Sequence, residues 1–203
     1  MIRFLPFLFL LSLSLSGQSI KKAYKLYEKG EVTKFRDALK KMDEKGINNS
    51  GKYFLYSKYY LLDRENRDAL DSSYYYIKLS NDNFQYADEK LSDELFELNI
   101  SETTIDSIIK VIDSIEYDFV KSANTIEEYK KYMSDHERSK FYSDALGRWH
   151  KLEFDIVREV DTWQAYKKFM DMYPQAKDFT NAKSSYDALI LKDKTSEMTL
   201  SSY

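Results

Sequence analysis

Between Ser101 and Leu189 the order of apolar and polar residues is written nearly twice. Apolar side chains fall at Ile105, Ile108, Ile109, Ile112, Ile115, Phe119, Val120 and Ala123. A shift of 37 residues lands each on another, at Tyr142, Ala145, Leu146, Trp149, Leu152, Ile156, Val157 and Val160. Steps of three and four keep each octet on one stripe of an α-helix, so each copy is predicted to open with a helix of about six turns buried along one side. A shorter helix follows, with Thr125, Tyr129, Lys130, Lys131 and Met133 answered by Thr162, Tyr166, Lys167, Lys168 and Met170. The pattern predicts a repeated helical hairpin. Such a hairpin cannot bury its own stripe and stacks on neighbours, which is the logic of an α-solenoid. Trp149 and its stripe are the expected stability centre.

Local signals agree with the periodicity. Thr125 with Glu128 forms a capping box, whereas Thr162 caps alone because Ala165 stands where the acid would be. Pro174 stops the second short helix, and His136 and Glu137 fill the equivalent turn of the first copy, with His136 expected at the surface or half-packed. A third shift keeps Phe179, Ala182, Tyr186 and Leu189 apolar but puts Lys183, Asp193 and Lys194 at earlier apolar positions. Repeats over 101–192 are therefore expected to end near Leu191, with a flexible tail over 193–203.

Upstream, residues 18–100 predict five helices. The first is capped by Ser19 and runs to Lys29 before Gly30, and the second carries Val32, Phe35, Ala38, Leu39 and Met42 before Gly46. A third covers about Lys52 to Leu62. A fourth holds Ala69, Leu70, Tyr74 and Ile77 and stops at Ser80 to Asn83, and a fifth spans Phe84 to Asn99 with Leu91, Leu95 and Leu98 inward. The predicted class is all-α, about ten helices without a sheet.

The amino terminus changes the expected compartment. Arg3, the apolar run Phe4 to Leu15 and then Ser16, Gly17 and Gln18 have the layout of a secretory signal peptide, placing residues 1–17 outside the mature protein. A run of twelve is shorter than the roughly 20 residues that span a bilayer, so no membrane insertion is expected after cleavage. The protein is expected to be exported, periplasmic or extracellular. The chain of 203 residues has no cysteine, which rules out both a disulfide and the lipid attachment of a bacterial lipoprotein. Its 18 tyrosines and 16% aromatic share give it material for a core. A net charge of −3, interspersed along helix faces, leaves no electrostatic footprint for nucleic acid.

No residue set has the spacing of a reactive site. His136 and His150 are the only histidines, and neither has a second His three or four residues away on one helix face. There is no nucleophile elbow and no glycine-rich phosphate loop, and pairs such as Glu127 with Glu128 alternate with lysines as solvated faces do. No catalytic, cofactor-binding or metal-ligating residue is assigned.

Ala23, Gly30, Val32 and Leu39 resemble the small, turn and large positions of a tetratricopeptide repeat, and Tyr53, Tyr56, Ser57, Tyr60 and Ala69 resemble the next. Phe35 and Met42 replace the family's small residues, so the first copy is degenerate. Tyr166, Phe169, Tyr173, Pro174, Ala176 and Ala182 are similar to repeats of periplasmic envelope-assembly proteins. The resemblance implies an α-solenoid of tetratricopeptide-like hairpins in which Tyr53, Tyr56 and Tyr60 pack on the partner helix. It also implies a concave peptide groove lined by Tyr24, Tyr27, Phe54, Lys58 and Leu61. The expected function is non-enzymatic: a protein-interaction or scaffold module of the bacterial cell envelope or exterior, binding another protein or peptide. The alternatives are an enzyme with scattered carboxylates, such as a glycan-cleaving envelope protein, and a purely structural spacer.

Overall fold

A computed structural model describes residues 19–200, with side-chain burial described from 19 to 195. The expected signal segment 1–17 and the last three residues of the expected tail lie outside the described residues. The described residues are helical with no strand. Helix α1 covers residues 19–28, followed by α2 (Val32–Glu44), α3 (Ser50–Tyr60) with a 3-10 turn Leu61–Asp63, α4 (Arg67–Phe84) and α5 (Glu89–Glu97). Then come α6 (Glu102–Ala123), α7 (Ile126–Asp135), α8 (Tyr142–Val160), α9 (Trp163–Met172) and α10 (Phe179–Leu200). The chain divides into two compact units, with the boundary inside α6 between Glu116 and Tyr117.

In the first unit, helix starts are set by side-chain caps. Asn49 accepts from the Lys52 amide, Asn66 from those of Asp68 and Ala69, and Asp88 from that of Leu91. Asp88 explains why α5 begins at Glu89 and not at Phe84. Ser19 is already helical and so does not cap α1. Helix α4 continues through Ser80–Asn83, the expected stop, because a tertiary contact overrides the turn propensity of those residues. The Ser80 hydroxyl is buried against α3, donating to the Ser50 carbonyl at 2.9 Å. Ser50 replies to the Ser80 carbonyl at 2.8 Å. Seven residues along each helix the motif recurs: Ser73 Oγ donates to the Ser57 carbonyl at 2.9 Å, and the two hydroxyls lie 3.0 Å apart. The α3–α4 seam is thus made of four fully buried serines, small enough for close backbone approach and each hydrogen-bonded. On another side of α3, a Cβ on Gly51 would sit 3.0 Å from both Ile20 Cδ1 and Leu95 Cδ2, so α1 and α5 also close on it.

In the second unit the 37-residue shift is reproduced in backbone detail. Asn124 and Asp161 close α6 and α8 with φ of 48° and 45°, a left-handed state that Asn and Asp tolerate. Tyr129 donates its hydroxyl to Asn124 at 2.9 Å, and Tyr166 does the same to Asp161 at 3.1 Å. Thr125 and Thr162 then cap α7 and α9, each accepting at 3.3 Å from an amide three residues on. Tyr117 packs on Tyr132 with ring centroids 5.1 Å apart, as Phe154 packs on Phe169 at 5.3 Å.

The expected apolar stripe needs correction. Ala145 and Phe154 are the buried residues of α8, nine positions and therefore half a revolution apart. Ala145 joins the cluster of Tyr117, Val120, Tyr129 and Tyr132, while Phe154 joins that of Tyr166, Phe169 and Ala182. A helix that packs on one hairpin along its first half and another along its second divides its burial between opposite faces. Trp149 is consequently half-buried between the two clusters, and Ile156, Val160 and Ala123 are exposed. His136, expected at the surface or half-packed, is buried and stacked on Tyr132 with ring centroids 4.7 Å apart. Helix α10 runs on to Leu200, beyond the expected end near Leu191.

Candidate functional site

Of the residues expected to line a groove, Tyr27, Phe54 and Lys58 meet: Lys58 Nζ lies 5.3 Å from the Tyr27 ring centroid and 5.8 Å from that of Phe54. Tyr24 stands beside Tyr27 at 6.4 Å, and burial raises its phenol pKa with help from the charge of Glu28. Phe54 is only 3% exposed, so it is a packing residue and supplies a buried floor and not an open wall. Leu61, in the 3-10 turn, is half-buried.

A larger aromatic surface lies around the serine seam. Tyr53, Tyr56 and Tyr60 of α3 stack on Tyr76 of α4, with ring centroids at 6.3, 4.8 and 5.7 Å and interplanar angles of 25°, 19° and 6°. They do pack on the partner helix. Yet all four stay half-buried, because the serines and not the tyrosines form the seam. Tyr75 and Tyr59 extend the set edge-on, at 5.3 Å from Tyr76 and 5.4 Å from Tyr60. Asp43 of α2 ties it down, accepting from the Tyr56 hydroxyl and, at 2.8 Å, from Lys52 Nζ. Burial raises the Asp43 pKa, but those two hydrogen bonds and the charge of Lys52 outweigh it and hold the carboxyl below its ordinary value. Burial, then the bond to Asp43, pushes the Tyr56 phenol up. Neither Tyr76 nor Asp43 was singled out in the sequence; the run Tyr74-Tyr75-Tyr76 was the available signal.

One end of this surface opens into a groove of about 600 Å³ whose lining includes Val32, Tyr59, Tyr60, Leu62, Asp63 and Asp68. The second unit has a groove of about 500 Å³ beside Trp149. There Lys130 Nζ sits 4.8 Å from the indole centroid, and Glu153 Oε1 accepts from the indole N–H at 3.0 Å. Burial and Glu153 push the Tyr173 phenol up to about 12, and burial lowers the pKa of His150. Among the described residues no cluster of three His, Asp or Glu is arranged to hold a metal ion, and no helix is long and apolar enough to cross a membrane. Comparison with known protein families, characterised sequences and solved structures returns no match. What the arrangement offers chemically is ring faces for apolar and cationic groups, with phenol hydroxyls and carboxylates at their edges.

Proposed function

We propose that this protein is an exported, non-enzymatic interaction module of the bacterial cell envelope or exterior, a tetratricopeptide-like α-solenoid that presents a ring-lined surface to another polypeptide. The observation that carries the reading is the half-exposed tyrosine surface of α3 and α4. Rings held by stacking and by a buried serine seam lose little side-chain freedom on binding, and aromatic anchors dominate protein interfaces for that reason. The repeat architecture is supported by the matched backbone states at Asn124 and Asp161, and by α8 dividing its burial between two hairpins.

The test is capture from a native envelope extract on the immobilised full chain, with a bound protein identified, compared with Tyr53→Ala combined with Tyr75→Ala. The expected outcome is a specific partner that the double variant loses while its thermal midpoint stays near that of the parent. Retention of nothing beyond an inert-protein control would refute the reading. Unfolding of the double variant would place these rings in the core and remove the tyrosine surface as the anchor.

A further inference from the structure

Two lysines of the first unit display how its tyrosines and carboxylates hold an ammonium group. Lys52, buried, places Nζ 2.8 Å from Asp43 Oδ1 and 3.0 Å from Asn48 Oδ1, with the ring centroids of Tyr53 and Tyr56 at 5.4 and 6.0 Å. Lys58 lies over Tyr27 and Phe54. The groove at the other end of the tyrosine surface has the same components. Tyr59 and Tyr60 meet at 72° and form two walls of a corner, and Asp63 and Asp68 supply two carboxylates. Among the described residues neither carboxylate is in an ion pair: the adjacent Arg64 pairs with Glu65 at 3.8 Å and Arg67 with Glu116 at 2.7 Å.

We propose that this groove binds a lysine or arginine side chain of a partner polypeptide. The cation sits in the Tyr59–Tyr60 corner against Asp63 and Asp68, where ring quadrupoles and carboxylates attract the same charge. Val32 and Leu62, 47% and 49% exposed at the groove, take the aliphatic stem and the apolar residues beside it. A volume of about 600 Å³ far exceeds one ammonium and suits a side chain with its flanking residues. Asp68 also lies in the first turn of α4, where an acid stabilises the helix dipole, so each variant below is accompanied by its thermal midpoint. This inference rests on the protein-binding reading and names the chemistry of its partner.

The probe is a fluorescein-labelled peptide alternating Ala and Lys, titrated with the full chain and followed by anisotropy. Asp63→Asn with Asp68→Asn is expected to weaken binding about tenfold or more. Asp171→Asn with Asp187→Asn, the same charge change at two exposed pairs in the second unit, should leave it within about twofold. The acetyl-lysine version of the peptide should not bind. Equal weakening by both double variants would reduce the effect to net charge and overturn the proposal, as would undiminished binding of the acetylated peptide. Binding of a neutral oligosaccharide in place of the peptide would overturn it in favour of a glycan site. If the wild type ignores the lysine peptide while its captured envelope partner survives Asp63→Asn with Asp68→Asn, this inference fails and the broader reading stands.

Discussion

Because the serine seam gives Ser57 and Ser73 unequal roles, their alanine variants should behave unequally. Ser73 Oγ donates to the Ser57 carbonyl and lies 3.0 Å from Ser57 Oγ, so the remaining proton between the two hydroxyls belongs to Ser57. Ser73→Ala breaks both bonds and leaves a buried Ser57 hydroxyl without its acceptor, a loss of about 1 to 3 kcal/mol. The hydroxyl can turn back to the carbonyl one helical turn earlier, which brings the expected cost to about 1 to 2 kcal/mol. Ser57→Ala, by contrast, keeps the Ser73 bond to the Ser57 carbonyl, and the better helix propensity of alanine, about 0.5 kcal/mol, offsets the lost bond. Its net effect is expected to be about zero. The double variant leaves no orphaned hydroxyl and should cost less than Ser73→Ala alone, giving a coupling of about 1 kcal/mol between the sites. Urea unfolding followed by tyrosine near-ultraviolet circular dichroism reads this out, because both tryptophans, Trp149 and Trp163, lie in the second unit and do not report on α3 and α4. Equal costs for the two single variants, or strict additivity, would refute the reasoning.

In the second unit, Phe154→Ala should cost about 3 to 5 kcal/mol while Trp149→Ala, half-buried, should cost roughly half as much, as measured by tryptophan emission from Trp163 or by helical dichroism. Tyr129→Phe and Tyr166→Phe each remove one hydroxyl bond to the left-handed residue of a repeat, and matching losses of about 1 kcal/mol are expected in thermal melts. The Tyr173 phenol is raised to about 12, and those of Tyr56 and Tyr117 are raised as well. The folded state therefore holds these protons more tightly than the unfolded chain. Their contribution to stability is full below pH of about 10 and is lost as pH rises from there towards 12, so alkaline titration monitored by phenolate absorbance should show unfolding in that window.

Apolar spacing of three and four made the helices of 101–192 legible, and Thr125 and Thr162 marked where α7 and α9 begin. What spacing did not reveal was which face of a long helix is covered. Tyr117 and Phe154 stood off the drawn stripe, since a single stripe presumes a single partner and α8 has two. In the first unit Ser80 is an expected stop, yet Ser50 with Ser57 and Ser73 with Ser80 repeat every seven residues, the period of a helix seam. The grouping of Tyr27, Phe54 and Lys58 came from the resemblance to a tetratricopeptide repeat and not from helix register. The tie from Asp43 to Tyr56 and the corner at Tyr59 and Tyr60 depend on how α2, α3 and α4 are brought together, which no local pattern encodes.

The joints at Asn124 and Asp161 make the hairpin an exchangeable cassette. At each, a left-handed residue is followed by an extended threonine, with φ and ψ of −117° and 156° at Thr125 and −120° and 147° at Thr162. A gene cut after codons 124 and 161 would rejoin the same two backbone states whether one copy were deleted or another inserted. The tyrosine that follows would find an Asn or Asp side-chain oxygen at either junction. The number of hairpins in such a chain is free to drift by recombination, with no new turn to evolve.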